Sequence, residues 1–149
     1  MAEWTSTARA NASADALLEV LTRPDEIRRW SPVDFDLGDQ DVCRLVSGTR
    51  SRVTGRVAGV SVGFDVEVRV AHERALELSA DGPVGFDVRY DLSDHERGTE
   101  LNASVSMRPA GGLTGRLVAS ATAALLSAGA LDGATGRIAQ VAESLPQAA

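Results

Sequence analysis

The chain contains the run Val60-Ser-Val-Gly-Phe-Asp-Val-Glu-Val-Arg-Val70, in which apolar residues alternate without interruption with polar or small ones. Successive side chains of a β-strand point to opposite faces, so this alternation predicts a long strand with one apolar face and one polar face. The apolar face would carry the even-numbered residues from Val60 to Val70. That face needs a cover, and the Ala-rich C-terminal segment is the long cover that the sequence offers.

A second alternating run begins at Gly48-Thr49 and is joined to the first by Ala58-Gly59. If Ala58-Gly59 forms a two-residue hairpin turn, the register of the two strands is fixed. This register places opposite charges together on the polar face and apolar residues together on the other: Arg52 with Asp65, Arg50 with Glu67, and Val53 with Phe64. A slip of one residue would lose all three contacts, so the sequence predicts an antiparallel hairpin here.

Similar patterns predict the other elements before the C-terminal segment. A first strand at 3–10 precedes a helix that is capped by Ser13 and ends before Pro24, and a second short helix covers 24–29. Further strands are predicted around Phe35 and Leu37 and at 75–80, 84–92 and 99–108, with turns at 81–83 and 93–98. The predicted order is therefore one strand, two short helices and a long meander of strands.

From Leu113 onward the apolar spacing changes to three and four residues, which is typical of a helix with one apolar stripe. The stripe consists of Leu117, Ala121, Ala124, Ala128, Leu131, Thr135, Ile138 and Ala142. The helix would run to Ser144. Each of Gly129, Gly133 and Gly136 costs about 0.5–1 kcal/mol relative to Ala in a helix interior, so we expect a kink or a frayed stretch there.

Composition and charge limit the class of protein. The 149 residues, 44% apolar and 24% charged, fit one globular domain over 1–149. A net charge of −6 argues against nucleic acid and anionic membranes as partners. The N-terminus has no signal-peptide pattern, and the longest uncharged stretch, 117–131, is too short to span a bilayer. We therefore expect a cytoplasmic protein without membrane insertion.

The sequence also limits the chemistry. The single cysteine, Cys43, has no internal disulfide partner, and two histidines with one cysteine make a poor zinc set, so we predict no metal. All 15 basic residues are Arg, which removes Schiff-base chemistry and lysine-anchored cofactors. The glycines at 111, 112 and 115 match neither a phosphate-binding loop nor a dinucleotide motif. We therefore predict no cofactor.

Five short motifs lie along the chain at the starts and ends of the predicted elements. They are Ala12-Ser13-Ala14-Asp15, Leu21-Thr-Arg-Pro-Asp25 followed by Trp30-Ser-Pro32, Gly48-Thr49, Gly98-Thr99-Glu-Leu101, and Gly111-Gly112-Leu113. With the element order, they resemble the START-like superfamily called SRPBCC, and within it the bacterial polyketide cyclase/dehydrase-like branch. The resemblance implies an α+β helix-grip fold. Its curved antiparallel sheet of six to seven strands wraps on a long C-terminal helix, with two short helices after the first strand.

The resemblance also implies an apolar cavity between the sheet and the C-terminal helix. We expect this cavity to bind a small hydrophobic or aromatic ligand of lipid, polyketide or quinone type, in a monomer or a homodimer. The predicted ligand contacts come from the region near the cavity mouth, the inward strand positions and the last helix. They are Trp30, Phe35, Phe64, Val66, Val68, Phe86, Val88, Tyr90, Leu101, Ala103, Val105, Ala121, Ala124, Leu125 and Ala128.

Two other functions stay open on the sequence. A polyketide aromatase or cyclase would need a proton donor or acceptor inside, and the inward positions offer only Tyr90 in a strand and His72 at a strand end. Tyr90 is either a ligand contact or a core aromatic, and His72 is either a catalytic base or a solvated loop residue. The third function is a pocketless protein-interaction module, which predicts a filled interior and an exposed apolar patch.

Overall fold

The computed structural model describes residues 2–37, 43–57, 59–72, 74–108 and 111–145, and seven strands within these ranges form one curled antiparallel sheet. The strands are β1 Ala2–Ala10, β2 Phe35–Asp36, β3 Arg50–Val57, β4 Val60–His72, β5 Ala75–Asp81, β6 Gly85–His95 and β7 Gly98–Arg108. Their order across the sheet is β1-β7-β6-β5-β4-β3-β2. The first strand therefore pairs with the last one, from Ala2 opposite Met107 to Ala10 opposite Thr99.

Four helices within the described ranges complete the α+β helix-grip fold: α1 Ala14–Thr22, α2 Pro24–Trp30, α3 Gly112–Ser127 and α4 Ala130–Ser144. The Ser13 hydroxyl accepts a hydrogen bond from the Ala16 N–H at 3.1 Å and caps α1, as the sequence predicts. Pro24 begins α2, where its missing N–H has no helical partner to lose. The two short helices and the β2 strand thus follow β1 in the predicted order.

The predicted hairpin register is confirmed for the two strands, while Ala58 of the predicted turn lies outside the described residues. Arg52 lies opposite Asp65, Arg50 opposite Glu67, and Val53 opposite Phe64. The two charged pairs form ion pairs at 3.0 Å and 2.8 Å. All four side chains are substantially exposed to solvent, so each pair stabilises the fold by at most about 1 kcal/mol and acts mainly by fixing the alignment of the strands.

The prediction that Val70 continues the apolar face of β4 is wrong. The register of β4 against β5 shifts between Val68 and Val70, so that Val70 lies opposite Glu77 and Ala71 lies opposite Leu76. A β-bulge places one extra residue, here Arg69, in one strand and so reverses the alternation beyond it. As a result Ala71 packs against the core, while His72 at the strand end is exposed.

The predicted turn at 93–98 is also too long. Strand β6 continues to His95, and β7 begins at Gly98. Only Glu96 and Arg97 form the turn, and Glu96 adopts a positive φ of 48°. A side chain at Gly98 would collide with the carbonyl oxygen of Ala10, so glycine is required where the β6–β7 hairpin passes the end of β1.

Buried apolar residues form two clusters on the inner face of the sheet. The main cluster joins α1, Trp30 and α4 to β1 and β4–β7, and includes Leu17, Leu101 and Ile138. The second cluster consists of Val62, Phe64, Val84 and Val118, and lies between α3 and the sheet. Phe86 packs against both clusters. The core is therefore deep beneath α4 and shallow beneath α3.

The C-terminal helix is broken, as its glycines predict. Gly129 adopts φ 97°, and the axes of α3 and α4 differ by 62°. The apolar stripe predicted to run through both helices is confirmed for α4, where Leu131 and Ile138 are buried. It is wrong for α3, where Leu117 is 58% exposed and Val118 is buried instead. The bend changes which side chains face the sheet, so one stripe does not serve both helices.

Candidate ligand-binding cavity

An apolar cavity of about 170 Å³ lies between α2, β2 and the inner face of β3–β5. Helix α2 contributes Pro24 and Ile27, and the chain at and after β2 contributes Phe35 and Leu37. The remaining wall comes from the segment before β3 and from the three strands, namely Leu45, Thr49, Ser51, Val53, Val66, Val68 and Leu78. None of the lining residues comes from α3 or α4, so this cavity does not lie between the sheet and the C-terminal helix, where the sequence predicts one. Helix α2 and the chain around β2 cover this part of the sheet instead.

The burial of the wall shows that this space is incompletely packed. Among the eleven lining residues Pro24 and Val68 are buried, and the other nine keep part of their surface accessible. An apolar cavity of about 150 Å³ in another protein stays dry and binds benzene, whereas pockets for drug-sized ligands measure about 300–1,000 Å³. The present cavity therefore has the room for a molecule of about one aromatic ring.

Two hydroxyl groups belong to the wall. The Thr49 hydroxyl accepts a hydrogen bond from the Val46 N–H at 3.1 Å. The Ser51 hydroxyl oxygen is covered and has no hydrogen-bond partner among the described residues. None of the eleven lining residues is ionisable. The wall therefore favours an uncharged apolar molecule, since a charged group would lose its hydration without gaining a partner.

A cation holds one side of the cavity in place. The Arg28 guanidinium lies 4.8 Å from the centre of the Phe35 ring and donates a hydrogen bond to the Phe35 carbonyl oxygen at 3.2 Å. This cation–π contact stabilises an exposed pair by about 0.5–1 kcal/mol. It fixes the aromatic ring that β2 adds to the cavity wall, although β2 itself has only two residues.

The predicted contact residues fall into several groups. Phe35, Val66 and Val68 line this cavity. The main cluster holds Trp30, Tyr90, Leu101, Ala103 and Val105, while Phe64 belongs to the second cluster. Phe86 and Val88 are half-buried beside the main cluster. On α3, Ala121 is half-buried, whereas Ala124 and Leu125 are exposed, as is Ala128 directly after the helix.

Tyr90 occupies an aromatic pair in the main cluster. Its ring meets Trp30 edge to face, with ring centres 6.1 Å apart, and the Trp30 Nε1–H donates to the Val20 carbonyl oxygen at 3.0 Å. Burial raises the pKa of Tyr90 above its ordinary value. The phenol is therefore neutral near neutral pH, where it has a proton to donate in a hydrogen bond but does not serve as a base.

Most of the cavity wall was missed from the sequence. Ser51, Val53 and Leu78 share the inward phase of their strands, so the alternation carried a signal for them. Ile27 and Leu45 have no such signal, because their position depends on how α2 and the chain before β3 pack onto the sheet. Within the described ranges, no cluster of three or more His, Cys, Asp or Glu residues forms a candidate metal site.

A second candidate surface lies on α3. Leu113, Leu117 and Leu125 are 86%, 58% and 41% exposed, and with their Ala neighbours they form one apolar face, here called the α3 patch. Within the described residues, no one helix has both the length and the apolar composition needed to cross a membrane. Helices α3 and α4 meet the two requirements of length and composition only when they are taken together across their bend.

No family model and no curated protein sequence matches this chain. Solved structures do. Protein CV1439 from Chromobacterium violaceum superposes with a TM-score of 0.71 at 10% identity, covering 96% of this chain and 98% of its own. Ara h 8.0201 gives a TM-score of 0.59 at 12% identity, with 92% and 97% covered.

DynU16, a protein in the dynemicin biosynthetic locus, superposes with a TM-score of 0.60 at 23% identity. The match covers 95% of this chain and 47% of DynU16. Identities of 10–23% support a shared fold and nothing finer. The START-like superfamily and its polyketide cyclase/dehydrase-like branch therefore both stay predictions from the sequence. The chain is a helix-grip α+β protein.

Proposed function

We propose that this protein binds a small, uncharged hydrophobic or aromatic molecule in the cavity between α2, β2 and β3–β5. The observation that carries the proposal is the cavity itself, whose wall is apolar except for two hydroxyl groups. Burying roughly 200 Å² of an aromatic molecule at about 25 cal/mol per Å² supplies about 5 kcal/mol. That corresponds to a dissociation constant on the order of 0.1–1 mM for a single ring.

The enzymatic alternative has less support. A polyketide aromatase or cyclase needs a proton donor or acceptor within hydrogen-bond reach of the substrate, and no ionisable group is among the eleven lining residues. Tyr90 packs with Trp30 in the main cluster and is not part of this wall. A polyketide chain is also larger than a cavity of about 170 Å³. Binding therefore fits the cavity better than catalysis does.

Toluene tests the proposal as a ring-sized apolar probe. We expect titration with toluene in the millimolar range to shift the amide NMR signals of Ser51, Val66 and Leu78 selectively. The Val66→Phe variant fills the cavity and should lose this response. The Val46→Phe variant makes the same change at a residue that is 54% exposed, and should keep it. Absence of any shift in the unmodified protein, or an equal response in Val66→Phe, contradicts the proposal.

The α3 patch favours a second candidate function, an interaction with another protein chain. A second copy of this chain is the simplest occupant, because a two-fold contact would place two identical apolar faces together. Replacing both Leu113 and Leu117 by Ser should then convert a dimer to a monomer in analytical ultracentrifugation. An unmodified protein that sediments as a monomer at high concentration argues against this function.

A further inference from the structure

The Ser51 hydroxyl differs from the rest of the cavity wall, because it is a polar group that is buried without a hydrogen bond to the described residues. Its oxygen is covered from solvent and has no hydrogen-bond partner among the described residues. Buried hydroxyl groups are nearly always hydrogen-bonded, because an unpaired one loses its hydration without compensation. A serine at such a position therefore calls for a physical reason, since alanine would fill nearly the same space without this penalty.

The strand register explains why Ser51 belongs to the cavity. Arg50 and Arg52 take the outer face of β3 and form ion pairs with β4, so Ser51 between them takes the inner face. There it lies opposite Val66, and both residues line the cavity. The other hydroxyl of the wall, on Thr49, is already bonded to the Val46 N–H.

The unpaired state leaves the Ser51 hydroxyl adjustable. A serine side chain has three staggered χ1 positions, and no hydrogen bond to the described residues opposes a change between them. The hydroxyl is both a donor and an acceptor, so it pairs equally with a hydroxyl or with a carbonyl group. A molecule in the cavity therefore gains a hydrogen bond when the side chain turns its oxygen toward it, and the fold loses none.

We propose that Ser51 anchors the ligand by a hydrogen bond, so that the cavity selects a ring-sized apolar molecule carrying one uncharged hydroxyl or carbonyl group. This inference rests on the proposed function and narrows its ligand class. A carboxylate or an amine is disfavoured, because the eleven lining residues offer no opposite charge. The apolar wall supplies the bulk of the affinity, and Ser51 sets the orientation of the molecule and its selectivity.

Phenol and toluene form a matched pair of probes, since they differ by a hydroxyl in place of a methyl group. In the Ser51→Ala variant we expect the affinity for phenol to fall about three- to tenfold, as for the loss of one hydrogen bond. The affinity for toluene should stay within about twofold. Benzaldehyde should behave as phenol does, because its carbonyl accepts from the same hydroxyl. The control variant Ser61→Ala, on the exposed face of β4, should change none of these affinities.

The outcomes separate this inference from the function on which it rests. If none of the three probes binds the unmodified protein, cavity binding itself fails and the inference fails with it. If toluene binds but Ser51→Ala weakens phenol and toluene equally, or weakens neither, the anchoring role is refuted while cavity binding stands.

The melting temperature of the ligand-free variant gives an independent readout. Removing an unpaired hydroxyl should leave the melting temperature of Ser51→Ala unchanged or raise it. A fall of several degrees would show that the hydroxyl already has a structural partner, and would overturn the inference.

Discussion

Helices α3 and α4 are adjacent in the sequence, similar in length and separated by a two-residue break, yet the fold uses them differently. Helix α4 buries seven residues, including Leu131, Ile138 and Ala142, against β1, α1 and α2. Helix α3 buries only Gly115 and Val118, and leaves Leu113 and Leu117 exposed. Apolar periodicity alone therefore predicts a helix but not the depth at which it packs.

The contrast has a physical cause in the sheet. The inner face beneath α4 holds the large residues of the main cluster. In addition, a buried hydrogen bond joins β1 to α4, between the Ser6 and Thr135 hydroxyl groups, which lie 2.9 Å apart. Beneath α3 the second cluster offers a smaller apolar surface, made of Val62, Phe64 and Val84. Most of the packing stability therefore belongs to α4, while α3 is free to present its apolar face elsewhere.

The same substitution in each helix should give the largest effect. Leu131→Ala removes a side chain that is 7% exposed in α4, and we expect it to lower the free energy of unfolding by about 2–5 kcal/mol. Leu117→Ala, at a residue that is 58% exposed in α3, should change it by no more than about 0.5 kcal/mol. Urea denaturation measures both values. Equal losses in the two variants would remove the contrast between the helices.

Tyr90 reports on the cluster beneath α4, because it is the only tyrosine in the chain. Burial raises its folded-state pKa above the unfolded value of about 10, so the unfolded state releases its proton first as pH rises. The contribution of protonated Tyr90 to the free energy of unfolding should be fully present below pH 10. Above pH 10 the free energy of unfolding should fall by up to about 1.4 kcal/mol per pH unit.

Tyrosinate ultraviolet absorbance follows this titration. We expect the absorbance to appear together with the loss of circular dichroism at alkaline pH. Tyrosinate that forms near pH 10 while the fold is intact would mean that the main cluster is open to water.

The break between the helices allows a smaller test. Gly129 has φ 97°, which disfavours any residue with a side chain, so Gly129→Ala should lower stability by about 1–2 kcal/mol. Gly136 lies inside α4, and a Cβ added there would meet no atom outside the helix within 4 Å, so Gly136→Ala should raise stability by about 0.5–1 kcal/mol. Thermal denaturation of the two variants compares them directly. Opposite signs support the bend at Gly129, whereas a gain in both would mean that α3 continues straight into α4.

Local pairing rules explain which parts of the fold the sequence predicts. The β3–β4 register follows from three simultaneous contacts, including Arg52 with Asp65, and a wrong register loses them all. The bulge at Arg69 has no such signature, because an arginine on the outer face fits the alternation equally well. The glycines predict a break in the last helix, but its position and angle depend on how α4 packs.

The candidate site is predictable only in part, for the same reason. Val66 and Val68 were predicted to face a ligand because the phase of β4 turns them inward, and both line the cavity. The same reasoning applied to β3 would have included Ser51, whose missing hydrogen bond is visible only in three dimensions. Ile27 reaches the cavity because α2 lies over the edge of the sheet, which depends on tertiary packing and not on spacing.

The pairing of β1 with β7 has a consequence for synthesis in the cell. Strand β1 leaves the ribosome before the other strands of this sheet, but its partner strand β7 is the last of them to emerge, and α4, which covers β1, follows later still. Meanwhile the β3–β7 meander forms its hairpins between neighbours in sequence and presents an unsheltered apolar face. The nascent chain is therefore prone to aggregation until α4 packs onto the sheet and covers this face.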